Sequence, residues 1–367
     1  MEKFYIQNSM KNNISDINYS PYSLNRADKS KLLNKFLKNL TLKHYKYCDE
    51  YKKMVNAIGF DFKKKFDFKK IPFLPVRLFK MMDLMSVDKP NIVKTMTSSG
   101  TSGQQVSKIY LDKDTALDQT RVLTKIVSSF IGKKRVPMII LDSEDVLKNR
   151  KLFSARGAGI LGFSIFGSKK IYALDKNMNL KIDDLQKFIK NHEGENFLLF
   201  GFTFIIWQYF YKKLLDKKIN LDLSNSTLIH GGGWKKLINQ AVSSKVFREK
   251  LFSTCKISNV HDYYGMVEQT GSINIECSEG YLHPSIYSDI IVRNPINFDI
   301  CDYGQEGLIQ VISIIPSSYP GHSLLTDDIG VVYGEDDCKC GRKGKYFRVK
   351  GRIKNAEIRG CSDTFES

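Results

Sequence analysis

The stretch Thr97-Ser98-Ser99-Gly100-Thr101-Ser102-Gly103-Gln104 constrains this chain more than any other. Hydroxyls and glycines follow one another without a large side chain. Val93-Lys94-Thr95-Met96 before it and Val106 to Leu111 after it read as short strands. A backbone this free between two strands can turn several N–H groups towards one point, which is how proteins hold phosphate without a dedicated cation. The Gly-Lys-[Ser/Thr] ending of a Walker loop is missing, and a helical pattern opens only near Asp114. Taken alone, the same residues also suit a flexible Ser/Gly surface loop. The rest of the chain decides between the two.

Lys31 to Ala57 sets Leu32, Leu33, Phe36, Leu37 and Leu40 at helical spacing. The two prolines of Ile71–Val76 forbid a helix there. Asp114 to Phe130 reads as a helix and Val136 to Asp142 as a buried strand ending in a carboxylate. Asn196 to Phe200 is a strand that runs through Gly201 into a helix, Thr203 to Leu215. Thr227 to His230 is a strand meeting Gly231-Gly232-Gly233, Trp234 to Leu251 is helical, and Asn259 to Tyr264 leads into Gly265. Strand alternating with helix predicts an α/β sheet with helices on its faces. From about Asp289 short strands and turns take over: Ile290–Val292, Leu308–Ile315 and Gly330–Tyr333. The chain therefore divides into a helical segment (1–70), an α/β core (71–288), a β-rich subdomain (289–350) and a tail (351–367). Ligands of such sheets sit beyond the carboxyl ends of strands. Three glycine turns follow strands here, so a nucleotide-sized site is expected where they converge.

Composition narrows the function classes. The net charge of +18 comes mostly from lysines spread through all 367 residues, with no arginine-rich block, so no nucleic-acid partner is expected. The N-terminus has no apolar signal segment. The longest apolar stretch, Phe197 to Tyr211, falls short of the roughly 20 residues of a bilayer span. A cytoplasmic location is expected. The seven cysteines then read as thiols or metal ligands rather than disulfides.

Three runs carry further chemistry. In Tyr264-Gly265-Met266-Val267-Glu268, the glycine turn can place the Glu268 carboxylate where a phosphate-bound Mg²⁺ needs an oxygen ligand; the plain reading is a solvated glutamate. In Leu325-Thr326-Asp327-Asp328-Ile329-Gly330, paired aspartates at a strand end can accept from ribose hydroxyls, or simply form a turn. Cys338 and Cys340, with one residue between them, would make a closed structural zinc site with Cys277 and His283; the alternative is reduced thiols with no metal. Cys48, Cys255 and Cys301 read as small buried hydrophobes.

Taken in order, these segments resemble the adenylate-forming superfamily of acyl-CoA synthetases, firefly luciferase and peptide-synthetase adenylation domains. The resemblance runs from about Pro72 to the C-terminus. It implies that Thr97, Ser98, Ser99, Gly100, Thr101, Ser102 and Gly103 form the phosphate loop, and that Gly231, Gly232 and Gly233 line the adenine. Tyr264, Gly265 and Glu268 match its Tyr-Gly-x-Thr-Glu motif, and Asp328 its ribose aspartate. Gly351-Arg352 with Arg359-Gly360 resembles its hinge, which puts Arg352 beside the ribose. Val267 stands where the family places a hydroxyl, Lys354 where it places the hinge aspartate, and Glu357 where a lysine follows. The superfamily's mobile C-terminal domain lies beyond this hinge, whereas the sequence ends at Ser367. The expected architecture is the large N-terminal domain without that mobile one, and Lys235 and Lys236 are the nearest replacements for its catalytic lysine.

Within the superfamily, Ser98–Thr101, Gly231–Lys235, Ser317–Pro320, Thr326–Gly330 and the ending Gly360-Cys361-Ser362 are similar to the LuxE-type acyl-protein synthetases of bacterial fatty-acid reductase complexes. Cys338–Arg342 also resembles phenylacetate-CoA ligases. The resemblance implies ATP- and Mg²⁺-dependent activation of a fatty acid, transfer to Cys361 as a thioester, and delivery to an acyl reductase. Arg359 and Lys354 would raise the thiolate fraction of Cys361. Two other readings remain open at this point: an acyl- or aryl-CoA ligase, and a non-catalytic scaffold of the same fold.

Overall fold

The computed structural model describes residues 13–98, 105–148 and 155–353. Helix α1 (Arg26–Tyr47) starts where the Asn25 side chain accepts from the Asp28 N–H, and it buries Leu33, Phe36, Leu37 and Leu40. The helical pattern expected to run unbroken to Ala57 stops at Cys48, which is extended, and resumes as α2 (Asp49–Ala57). Asp49 and Glu50 in its first turn suit a new helix N-terminus, where negative charge meets the exposed N–H groups. The short strand β1 (Leu74–Pro75) follows. A separate antiparallel hairpin, β2 (Ile92–Thr97) and β3 (Lys108–Asp112), brackets the glycine-rich loop. Helix α3 (Lys113–Ile131) starts at Asp112, whose carboxylate accepts from the Thr115 N–H.

The parallel half of the main sheet contains β4 (Val136–Ser143), β5 (Gly167–Leu174), β6 (Phe197–Phe202), β7 (Ser226–Gly231) and β8 (Asn259–Tyr264), in the spatial order β5-β4-β6-β7-β8. Helices α4 (Ala155–Ser164), α5 (Ile182–Asn191) and α6 (Ser244–Cys255) join its strands. Strand β5 with α4 and α5 adds to the elements expected from the sequence. Every residue of β6 is buried, as parallel strands covered on both faces require. Each fully buried Leu or Phe in such a core contributes about 2–3 kcal/mol.

The antiparallel half continues through β9 (Asn274–Glu276), β10 (Leu282–His283), β11 (Ser288–Arg293), β12 (Glu306–Ser313), β13 (Ser323–Glu335) and β14 (Lys345–Arg352). Its order onward from β8 is β9-β10-β14-β13-β12-β11, with β1 parallel to β13. Strand β10 meets β14 at the single pair Leu282–Phe347, so the sheet is narrow at that seam. One hydrogen-bonded sheet thus crosses residue 289, where the sequence suggested a subdomain boundary.

One helical expectation is corrected and another refined. Residues 235–240 form a separate 3₁₀ turn, and α6 starts only at Ser244, because the Ser243 hydroxyl accepts from the Val246 N–H. The helix after Gly201 widens to π geometry over Ile206–Tyr211. Of the long apolar run Phe197 to Tyr211, Phe202, Ile205, Ile206, Trp207, Phe210 and Tyr211 lie in the core. Among the described residues no helix is long and apolar enough to cross a membrane.

Candidate active site

Strands β7 and β8 end side by side, with Gly231 paired to Tyr263. A Cβ on Gly231 would stand 2.7 Å from the Tyr263 ring, so glycine is required there. Gly232 and Gly233 then take φ of 82° and 66°, a left-handed turn that other residues adopt only under strain. Thr203 locks this turn: its hydroxyl donates to the Gly231 carbonyl at 3.1 Å and lies 2.9 Å from His230 Nδ1. Burial, reinforced by Arg248 and His261, pulls the His230 pKa down to about 3. The imidazole is therefore neutral and shapes the turn. The role of Thr203 was missed from sequence; a hydroxyl opening the helix after a strand was its only signal.

Across the edge, the Tyr264 hydroxyl donates to Asp328 Oδ2 at 2.7 Å, and Arg352 Nε donates to Asp328 Oδ1 at 3.0 Å. Asp328 and Arg352 are directly opposed in the β13–β14 ladder. The Thr326 hydroxyl accepts from the Asp328 N–H and donates to the Ile309 carbonyl. Burial, with the Asp328 charge beside it, pushes the Tyr264 phenol well above its ordinary pKa, so it stays a donor. The structure brings together Tyr264, Asp328 and Arg352, three residues singled out from sequence. Neighbouring Asp327 instead takes the Arg77 guanidinium at 3.0 Å. A carboxylate fixed from two sides keeps lone pairs free to accept from a diol.

Gly265 directly follows β8, and the 3₁₀ turn Val267–Gln269 buries the Glu268 side chain. Tyr319 holds that turn by donating to the Glu268 carbonyl at 2.8 Å, and Gln269 Nε2 donates to the carbonyls of Gly321 and Val311. Tyr319 belongs to the Ser-Ser-Tyr-Pro run noted in the sequence, but its role in placing Glu268 needed the structure. Thr97 is exposed at the end of β2. The Ser98 hydroxyl accepts from the Ser107 N–H at 2.9 Å, closing the hairpin below the loop. Ser99, Gly100, Thr101, Ser102 and Gly103 lie outside the described residues, as does Cys361. Lys235 and Lys236 fall on the 3₁₀ turn after the triple glycine.

The structure also gathers Cys277, His283, Cys338 and Cys340, whose donor atoms all lie within 4.8 Å of one another. Cys277 directly follows β9, His283 ends β10, and the two remaining cysteines occupy the β13–β14 turn. Burial pushes the Cys338 thiol up to about 12 and raises that of Cys277. Burial, with Arg342 adding to it, pulls His283 down to about 4. Cys48 and Cys255 are buried and Cys301 is half-buried.

Comparison with known proteins agrees with this architecture. The family model described as "Acyl-protein synthetase, LuxE" matches residues 4–367. The long-chain-fatty-acid–luciferin-component ligase of Vibrio harveyi is 21% identical over 359 residues, covering 94% of this chain and 89% of that protein. Its counterpart from Aliivibrio fischeri is 22% identical over 330 residues, with 85% and 82% covered. Among solved structures, 2-hydroxyisobutyryl-CoA ligase in an open conformation superposes with a TM-score of 0.70 at 15% identity, covering 91% of this chain and 77% of the other. That likeness establishes an adenylate-forming ligase fold.

Proposed function

The chain belongs to the LuxE family of acyl-protein synthetases, and from that premise we propose that it activates a long-chain fatty acid with ATP and carries the acyl group on its own Cys361. The observation that carries the reading is the Tyr264–Asp328–Arg352 set, held at the end of β8, the strand that pairs with β7 where β7 runs into Gly231–Gly233. Asp328, held by Tyr264 and Arg352, accepts from the ribose hydroxyls. Gly231, Gly232 and Gly233 let the adenine ring approach the backbone closely. Thr97, Ser98, Ser99, Gly100, Thr101, Ser102 and Gly103 donate to the phosphates. Glu268 would hold Mg²⁺, which would supply charge neutralisation at the phosphates.

In the first step a carboxylate oxygen of the acid attacks the α-phosphorus and pyrophosphate leaves, giving the acyl-adenylate. In the second the Cys361 thiolate attacks the acyl carbonyl and AMP leaves, giving the thioester. Thiolate is the reactive form, so the basic residues Lys354 and Arg359 close in sequence favour this step. An acyl reductase then takes the acyl group from Cys361. The curated relatives are named for fatty acid as substrate, which supports the choice of acid.

The test is intact mass after incubation with ATP, Mg²⁺ and tetradecanoic acid. A hydroxylamine-labile acyl adduct is expected on the wild type and absent from Cys361→Ser. An adduct that survives in Cys361→Ser moves the acceptor to another residue. Acyl-CoA formed on adding coenzyme A, with no protein adduct, overturns the reading in favour of a CoA ligase.

A further inference from the structure

The Cys277, His283, Cys338 and Cys340 cluster is not used by the proposed reaction. Cys277 Sγ lies 4.0 Å from Cys338 Sγ, and Cys340 Sγ lies 3.5 Å from His283 Nε2. A tetrahedral zinc with Zn–S of about 2.3 Å and Zn–N of about 2.0 Å sets its donor atoms about 3.5–3.8 Å apart. These two pairs are close to ligand spacing, and all four donor atoms lie within 4.8 Å of one another. They are far from the roughly 2.05 Å of a disulfide. Thiols are poor hydrogen-bond partners, so three of them packed on an imidazole gain little from one another. A divalent cation gives each a strong bond.

The surroundings are built to hold the donors still. The Gly280 N–H donates to the Cys277 carbonyl and the Gly341 N–H to the Cys338 carbonyl, each at 3.0 Å. Gly280 and Gly341 take φ of 76° and 81°, so both cysteine turns use a left-handed residue. Tyr22 sits edge-on to the His283 ring at 6.3 Å, and Tyr346 packs 6.1 Å from that ring. The Arg342 guanidinium stacks on Tyr22 and on Phe130. Three of the four ligands are buried and Cys340 is half-buried. All four tetrahedral positions are filled by protein, which is the pattern of a structural rather than a catalytic zinc.

The position of the cluster in the sheet gives it a consequence for the active edge. Strand β10 touches β14 at one residue pair, the narrowest point of the sheet, and the four donors come from the two sides of that seam. The β13–β14 ladder changes register twice, between Ile329 and Gly330 and between Val332 and Gly334. A slip of one residue in this hairpin would turn every side chain to the other face. Cys338 and Cys340 lie at the closed end of this hairpin; Asp328 and Arg352 face each other at its open end.

We propose that Cys277, His283, Cys338 and Cys340 bind one Zn²⁺ in a closed tetrahedral site that staples the two halves of the sheet and fixes the register of the Asp328–Arg352 pair. The second part rests on the nucleotide reading of that pair; the first does not.

The test uses the full chain purified from zinc-supplemented medium and assayed for metal by mass spectrometry. One zinc per chain is expected. Replacement by Co²⁺ should give the visible bands of tetrahedral, thiolate-bound cobalt. Cys277→Ser and Cys340→Ser should each hold less than about a tenth of the wild-type zinc, whereas His283→Cys, which keeps four donors, should retain it. A folded chain with no zinc and no cobalt spectrum overturns the metal site, as does full zinc content in both serine variants. For the register, AMP affinity is measured on zinc-depleted protein before and after zinc is restored. A weakening of tenfold or more that zinc reverses is expected, and unchanged affinity in folded, zinc-free protein overturns the clamp. A chain that holds one zinc but binds no nucleotide counts against the nucleotide site and leaves the metal assignment standing.

Discussion

The two halves of the sheet contribute to the candidate site in different currencies of structure. The parallel half supplies backbone. Its central strand β6 is buried throughout, and β7 and β8 both run into glycine turns. The antiparallel half supplies side chains: Asp328 and Arg352 at the edge, the four metal-type donors at the seam, and the buried Asp289–Lys345 pair, which Lys29 of α1 joins. Buried charge is tolerated in either half only where it is paired: Asp142 near the end of β4 is held by Arg156, as Asp289 is by Lys345. The candidate site thus takes its glycine turns from one half and the Asp328–Arg352 pair from the other.

The largest effect expected comes from breaking the charge chain. Burial alone would raise the Asp289 carboxyl, but Lys345 and Lys29 outweigh it and hold it below the usual range. Lys345 Nζ sits 3.0 Å from Asp289, and Lys29, 3.7 Å away, also donates to the Pro284 carbonyl. Asp289→Ala leaves two buried ammonium groups without their counterion, and should cost about 3–5 kcal/mol in urea unfolding. A loss below about 1 kcal/mol would mean that this half does not depend on its buried charges.

The backbone half is probed by Gly231→Ala. The added methyl meets the Tyr263 ring, which is itself stacked near Phe163 and Phe200 and has little freedom to move. An overpacking cost of about 1–3 kcal/mol is expected, with a raised KM for ATP. A variant of unchanged stability and unchanged KM would show that the turn yields, and would weaken the division between the halves. The smallest effect is expected where the halves meet. Tyr264→Phe removes one hydrogen bond to Asp328, worth about 1 kcal/mol, or about fivefold in kcat/KM for ATP, with the melting temperature nearly constant. A fall in melting temperature without a fall in kcat/KM would make Tyr264 a packing residue only.

Much of the parallel half was legible in the sequence because its signals are local. Strand β8 begins and ends where its pattern said, at Asn259 and Tyr264. The glycines after His230 announced a turn because left-handed backbone favours glycine. Asp112 and Ser243 cap helices through contacts three residues away, yet only the structure showed that Ser243 starts a new helix after a separate 3₁₀ turn. The break at Cys48 was likewise hidden inside a continuous apolar spacing.

The sequence by itself determined the residue types at the edge, the order of the strands along the chain and the donor set of the cysteine–histidine cluster. Each of these is written in short runs whose chemistry does not depend on distant partners. The tertiary structure alone decided that Tyr264 reaches Asp328, that Lys29 shares Asp289 with Lys345, and that Cys277 meets Cys338 across the seam. Those contacts join positions tens to hundreds of residues apart. Their existence depends on which strands become neighbours and in what register, and that is settled by burying the whole sheet at once rather than by any local stretch of it.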